Sequence, residues 1–102
     1  MYKIEYRSAF WRDLDEITSY LSFELLARAA AGHLLDELDQ TVKNIAGHPY
    51  AYPAYESVLP LQFHYRTALA GNFILFYTVD EQKQTVAICR FVYGRRDLEN
   101  IL

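Results

Sequence analysis

YRTALAGNFILFYTVDEQKQTVAICRFVYGRRDLENIL, residues 65–102, is the stretch that decides the fold. Three runs rich in aromatic and β-branched residues lie close together: QFHYRTAL (62–69), FILFYTV (73–79) and TVAICRFVY (85–93). AGN (70–72) and the polar DEQKQ (80–84) separate them, so the spacing predicts two tight hairpins and a three-stranded meander. FILFYTV is apolar on both faces of an extended chain, which predicts a central strand. The last strand runs straight into Arg95, Arg96 and Asp97, and DLENIL (97–102) is long enough for one terminal helical turn.

Upstream of this meander the period changes. YKIEYR (2–7) alternates Tyr2, Ile4 and Tyr6 against Lys3, Glu5 and Arg7, which predicts a short strand with one wet face that pairs onto the same sheet. Ser8 is placed to cap a helix over about residues 9–21, with Phe10, Leu14, Ile17 and Leu21 on its apolar stripe and Arg12, Asp13, Asp15 and Glu16 facing away. A second helix is predicted over about 24–46 from the stripe Ala27, Ala31, Leu34, Leu35, Leu38, Val42 and Ile45, stopped by Gly47 and Pro49. Only a few residues join the two helices, so they form an antiparallel hairpin. HPYAYPAYESVLPL (48–61) keeps no period and reads as an ordered loop whose tyrosines pack down on the core. The expected fold is therefore α+β, in the order β-α-α-β-β-β: one domain over residues 1–102, a helical hairpin packed on a small twisted antiparallel sheet.

Composition narrows the function. The 102 residues are 52% hydrophobic, enough to bury a core, and the net charge is −3. Residues 1–65 carry a net −4 and residues 66–102 a net +1. An acidic chain does not hold nucleic acid by bulk electrostatics, so any anion site is local. No apolar run approaches the ~20 residues that span a membrane, and MYKIEYRSAF has no signal-peptide pattern. A single cysteine, Cys89, forms no internal disulfide and fits a cytoplasmic location. No metal-spaced His/Cys set and no nucleotide-binding motif occurs, so neither metal nor cofactor is expected.

The residues that carry possible chemistry are Arg66, Arg90, Arg95 and Arg96, with His64, Tyr65 and Tyr93 beside them. The expectation is that the curved sheet gathers these guanidinium groups into one positive spot. His64 and Arg66, two apart on a predicted strand, are expected on one face. Arg90 alternates with Ile88 and Val92 on an otherwise apolar face, where it also has the option of pairing with a helix carboxylate. Tyr77 reads as core, and His33 and His48 as capping or solvated groups.

Residues 65–102, with the preceding strand, helical hairpin and Pro/Tyr loop, resemble the RelE/ParE superfamily of toxins from bacterial type II toxin–antitoxin modules. The resemblance rests on a basic-plus-aromatic first meander strand, a GN-aromatic-hydrophobic-FY second strand and a last strand ending in GRRD. It implies a growth-arresting protein, associated with plasmid stabilisation and neutralised by a cognate antitoxin encoded alongside, with operator DNA contacted only through that antitoxin. Two targets are implied. ParE-like members poison DNA gyrase, and RelE-like members cut mRNA in the ribosomal A site as metal-independent endoribonucleases. The fold is common to both and does not choose between them. The nuclease set would map onto His64, Arg66 and Arg96 as catalytic groups. The family's arginine on the second strand is replaced by Ile74, and its C-terminal tyrosine is missing. Half a catalytic set favours gyrase over mRNA as the target, with a non-toxic antitoxin-binding module as a third reading. For target or antitoxin binding, the resemblance singles out Tyr65, Arg66, Arg90, Tyr93, Arg95 and Arg96.

Overall fold

The computed structural model describes residues 1–57, 63–94 and 102. In chain order these form β1 (Lys3–Tyr6), α1 (Ser8–Ser19), a π-helical turn (Tyr20–Glu24), α2 (Arg28–Gly47), β2 (Arg66–Ala70), β3 (Phe73–Asp80) and β4 (Thr85–Tyr93). The strands make one four-stranded sheet in the order β1-β4-β3-β2. The meander β2-β3-β4 is antiparallel, as the sequence predicts. β1 joins it in parallel, with Lys3 opposite Thr85 and Tyr6 opposite Ile88, so the complete sheet is mixed. The reason is the crossover: two helices separate β1 from the meander and carry the chain over one face of the sheet.

That face is the core. Phe10 from α1 and Leu34, Leu38, Val42 and Ile45 from α2 pack on Leu75, Tyr77, Val86, Ile88 and Phe91. β3 is interior to the sheet, in keeping with its apolar sequence. Its turn from β2 places Gly71 at φ +58°, the left-handed region that a residue without Cβ enters freely. Tyr77 is fully buried, and its hydroxyl donates to Pro49 O at 2.5 Å, tying the Pro/Tyr loop to the central strand. Tyr52 adds an edge-to-face contact to the Tyr77 ring at 6.4 Å.

Several expected boundaries move. Arg7, not Ser8, is the N-cap of α1, in extended geometry and with no side-chain cap bond. The first helix ends in the π-helical turn, and Leu26 at φ +52° redirects the chain, so α2 begins at Arg28. β2 begins at Arg66, and the loop meets its outer edge there: Tyr55 N–H donates to Tyr65 O and Thr67 N–H to Pro53 O. Gln62 lies outside the described residues, as does the helical turn expected from Asp97 onward. Among the described residues, no helix is long and apolar enough to cross a membrane.

Candidate functional site

Strand register sorts the expected site residues by face. Arg66 stands opposite Tyr77, so it shares the helix-covered face. Arg90 stands opposite Phe76, with Thr67 beyond it, so it lies on the face away from the helices. A β-bulge causes the split: Tyr77 pairs with Ile88 and Phe76 with Arg90, leaving Cys89 as the extra residue. Alternation along the sequence therefore fails at this point, and Ile88 and Arg90 point to opposite sides. The two arginines are not brought together, which contradicts the expected single positive spot. Arg95 and Arg96 lie outside the described residues.

Arg66 and Arg90 each have a structural partner. The Arg66 guanidinium donates to Tyr52 O at 2.6 Å and lies 5.0 Å from the centre of the Tyr50 ring. It holds the Pro/Tyr loop against the end of β2. Arg90 grips Asp13 through two bonds, Nε to Oδ2 at 2.7 Å and an NH2 group to Oδ1 at 2.9 Å. The same Oδ2 accepts the Phe91 N–H at 2.9 Å. Arg90's pKa is raised, first by the hydrogen bond to Asp13 and further by that carboxylate's charge.

Asp13 is thus buried rather than facing away. It sits where the β1 ladder has ended, since the last bond to β4 on that side is Arg7 N–H to Ile88 O. Its carboxylate takes the next free strand N–H and anchors α1 to β4. The signal was in the sequence: position 13 lies three residues after Phe10 and one before Leu14, on the helix's buried stripe.

The face away from the helices carries two adjoining clefts. One, of about 330 Å³, is lined in part by Arg7, Phe63, Tyr65, Cys89 and Arg90. The other, of about 470 Å³, includes Glu5, Arg7, His64, Asp80 and Lys83. Arg7 belongs to both and was not singled out from sequence, although the alternation of YKIEYR already put it on the wet face. His64 lines the second cleft and does not share Arg66's face, because the strand starts only at Arg66. Tyr65 packs edge-to-face on Phe76 at 6.1 Å. Burial pushes the Cys89 thiol up. Tyr93 lies on the other side of the sheet, 5.7 Å from Phe73, in a cleft with Tyr20, Leu21 and Leu25.

A second polar cluster ties the N-terminus to the β3–β4 hairpin. Glu81 accepts from the hydroxyls of Tyr2 (2.8 Å) and Tyr50 (2.6 Å) and from the Gln84 amide (2.7 Å). These bonds hold its carboxyl below the usual range, the Tyr50 bond most of all. They push Tyr50 up to about 12. Glu81's folded pKa is depressed, so its contribution to stability is present above the unfolded value, about 4.5, and fades as pH falls through the folded one. Tyr50's folded pKa is raised, so its contribution is full below about 10 and is lost as pH rises towards about 12. Urea unfolding of wild type and Glu81→Gln across pH is expected to show the difference between them shrinking below about pH 4.5. A constant difference would remove the cluster from the pH response.

A model of the ParE toxin of type II toxin–antitoxin systems, parDE, matches residues 4–98. The chain belongs to the RelE/ParE superfamily of type II toxins. Solved structures agree on the fold. The chromosomal ParDE system of P. aeruginosa aligns with a TM-score of 0.70 at 18% identity, covering 91% of this chain and 96% of that one. The RelBE2 toxin–antitoxin complex of Mycobacterium tuberculosis gives 0.58 at 18%, covering 90% and 96%. The intact E. coli RelBE complex gives 0.59 at 12%, covering 94% and 100%. A search of curated protein sequences returned no match. Neighbours of both kinds share this superfamily fold, so target choice rests on the residues of the site.

Proposed function

We propose that this superfamily member arrests growth by a protein–protein contact with DNA gyrase and that a cognate antitoxin neutralises it. The observation that carries this reading is the commitment of Arg66 and Arg90 to the Tyr52 carbonyl and to Asp13, on opposite faces of the sheet. In-line cleavage of RNA needs cationic donors converging on one phosphate, with a base and an acid on either side. His64 lies in a cleft that also holds Glu5, Asp80 and Glu81, whose carboxylates oppose an incoming phosphate. The match of the ParE model across residues 4–98 supports the same target.

The test uses purified toxin with purified gyrase in a supercoiling assay. Inhibition that the antitoxin relieves is the expected result. Undisturbed supercoiling, together with messages cut during translation, supports RNA cleavage instead. Unimpeded growth on expression without a partner supports a binding module that lacks toxicity. A variant sharpens the choice. His64→Ala is expected to leave growth arrest within about threefold of wild type in a colony-forming assay. Loss of a catalytic group would weaken the activity by about 10²–10³.

A further inference from the structure

The turn between α1 and α2 is unusual in both backbone and surface. Tyr20–Glu24 leave the α-helical ladder for a π-helical turn, and Leu26 follows at φ +52°. A leucine in that left-handed region is strained, and burial gives no compensation, since Leu26 is 81% exposed. Phe23 is 70% exposed, and Tyr20 and Leu25 are each more than half exposed. Single apolar side chains on a surface are ordinary, but large ones concentrated on one turn mark a contact site. Together they present roughly 500 Å² of apolar surface, about half of the ~1,000 Å² in total that a specific interface needs. Two copies of the turn supply the whole.

A cleft of about 540 Å³ opens beside these residues, lined chiefly by Ile17, Tyr20, Leu21, Leu25, Phe73 and Tyr93. Phe23 and Leu26 do not line it; they are exposed on the same turn. Knob and hole thus share one patch. A two-fold interface requires that arrangement, because each copy offers both halves of every contact.

The charges fit the same symmetry. Glu24 and Arg28 are exposed, lie two residues either side of Leu26, and make no ion pair among the described residues. A two-fold axis at Leu26 sets Leu26 against its own copy and Glu24 of each chain against Arg28 of the other. Opposite charges facing across an interface fix its register. The net charge of −3 opposes association only weakly, because exposed charges are screened within about 8 Å at physiological ionic strength.

We infer that two copies of this chain associate through the turn between the helices, with Leu26 on the axis and Phe23 of each copy seated in the cleft of the other. The inference goes beyond the functional reading above and does not depend on the target or the antitoxin.

Sedimentation velocity of the purified toxin over about 1–100 µM tests it. A monomer–dimer equilibrium within that range is the expected result. Phe23→Asp is expected to weaken the dimer by roughly 30-fold or more, as loss of an aromatic anchor does. Phe23 is exposed in the single chain, so the variant is expected to keep its fold, which urea unfolding checks. Glu24→Lys is expected to weaken the dimer by at least about fivefold, and Glu24→Lys combined with Arg28→Glu to restore it. Leu69→Asp, exposed on β2, is expected to leave association unchanged. A toxin that stays monomeric across the range overturns the proposal. So does a dimer indifferent to Phe23→Asp, or a mass that keeps growing with concentration, the sign of head-to-tail contact. A double charge reversal that fails to restore the dimer overturns the two-fold register. A monomeric wild type whose binding to gyrase or to the antitoxin is lost in Phe23→Asp gives the surface to that partner and overturns the dimer.

Discussion

Asp13→Ala is expected to destabilise the protein by about 3–5 kcal/mol in urea unfolding, a large share of the roughly 5–15 kcal/mol that holds a small domain folded. The carboxylate is 9% exposed and serves two donors at once, the Arg90 guanidinium and the Phe91 N–H. Removing it takes this carboxylate from a partly buried cation and leaves a buried strand amide without an acceptor. The direct pair is not itself a strong source of stability, because both ions were desolvated to form it. Asp13→Leu combined with Arg90→Met is therefore expected to recover part of the loss, as the desolvated charge disappears. Loss of less than about 1 kcal/mol in Asp13→Ala would show that water replaces the carboxylate without penalty.

Phe91→Ala is expected to cost about as much, roughly 3–5 kcal/mol, by a different route. Phe91 is fully buried, its ring 5.3 Å from that of Phe73 and 6.3 Å from that of Phe10. Truncation removes apolar burial and leaves a cavity between α1 and the sheet. Leu69→Ala serves as the comparison, since Leu69 is 69% exposed on the edge strand and is expected to change stability by less than about 0.5 kcal/mol. Equal losses at the two positions would contradict the contrast between a core position and an exposed one at the end of an edge strand.

The fold was legible because its signals are local and periodic. FILFYTV between two turn sequences reads as the interior strand that β3 is, and the 3.6-residue stripe of α2 faces the core through Leu34, Leu38 and Ile45. β1's direction was harder to read, since alternation in YKIEYR says that a strand exists but not how it pairs. The site was less legible still, for one physical reason. Which face Arg90 occupies depends on a bulge at Cys89, and a one-residue shift reverses every assignment downstream of it. Arg66 looked like a partner for His64 only on the assumption that the strand begins at residue 62. Asp13 was read as solvated because it is charged, although its helical position already lay on the buried stripe.

The separation of the arginines shapes the functional account. A guanidinium bound to a carbonyl or a carboxylate on its own chain stabilises this fold and has fewer of its five N–H donors left for an RNA phosphate. Binding of a protein target makes no such demand.

Induced expression in bacteria, with DNA-damage signalling and message integrity followed in the same cells, tests the central claim most directly. Early induction of the damage response, with messages intact, is the outcome that gyrase poisoning predicts. Prompt cleavage of translated messages, with no damage signal, would contradict it and make an RNA-cutting centre the better account of this sheet.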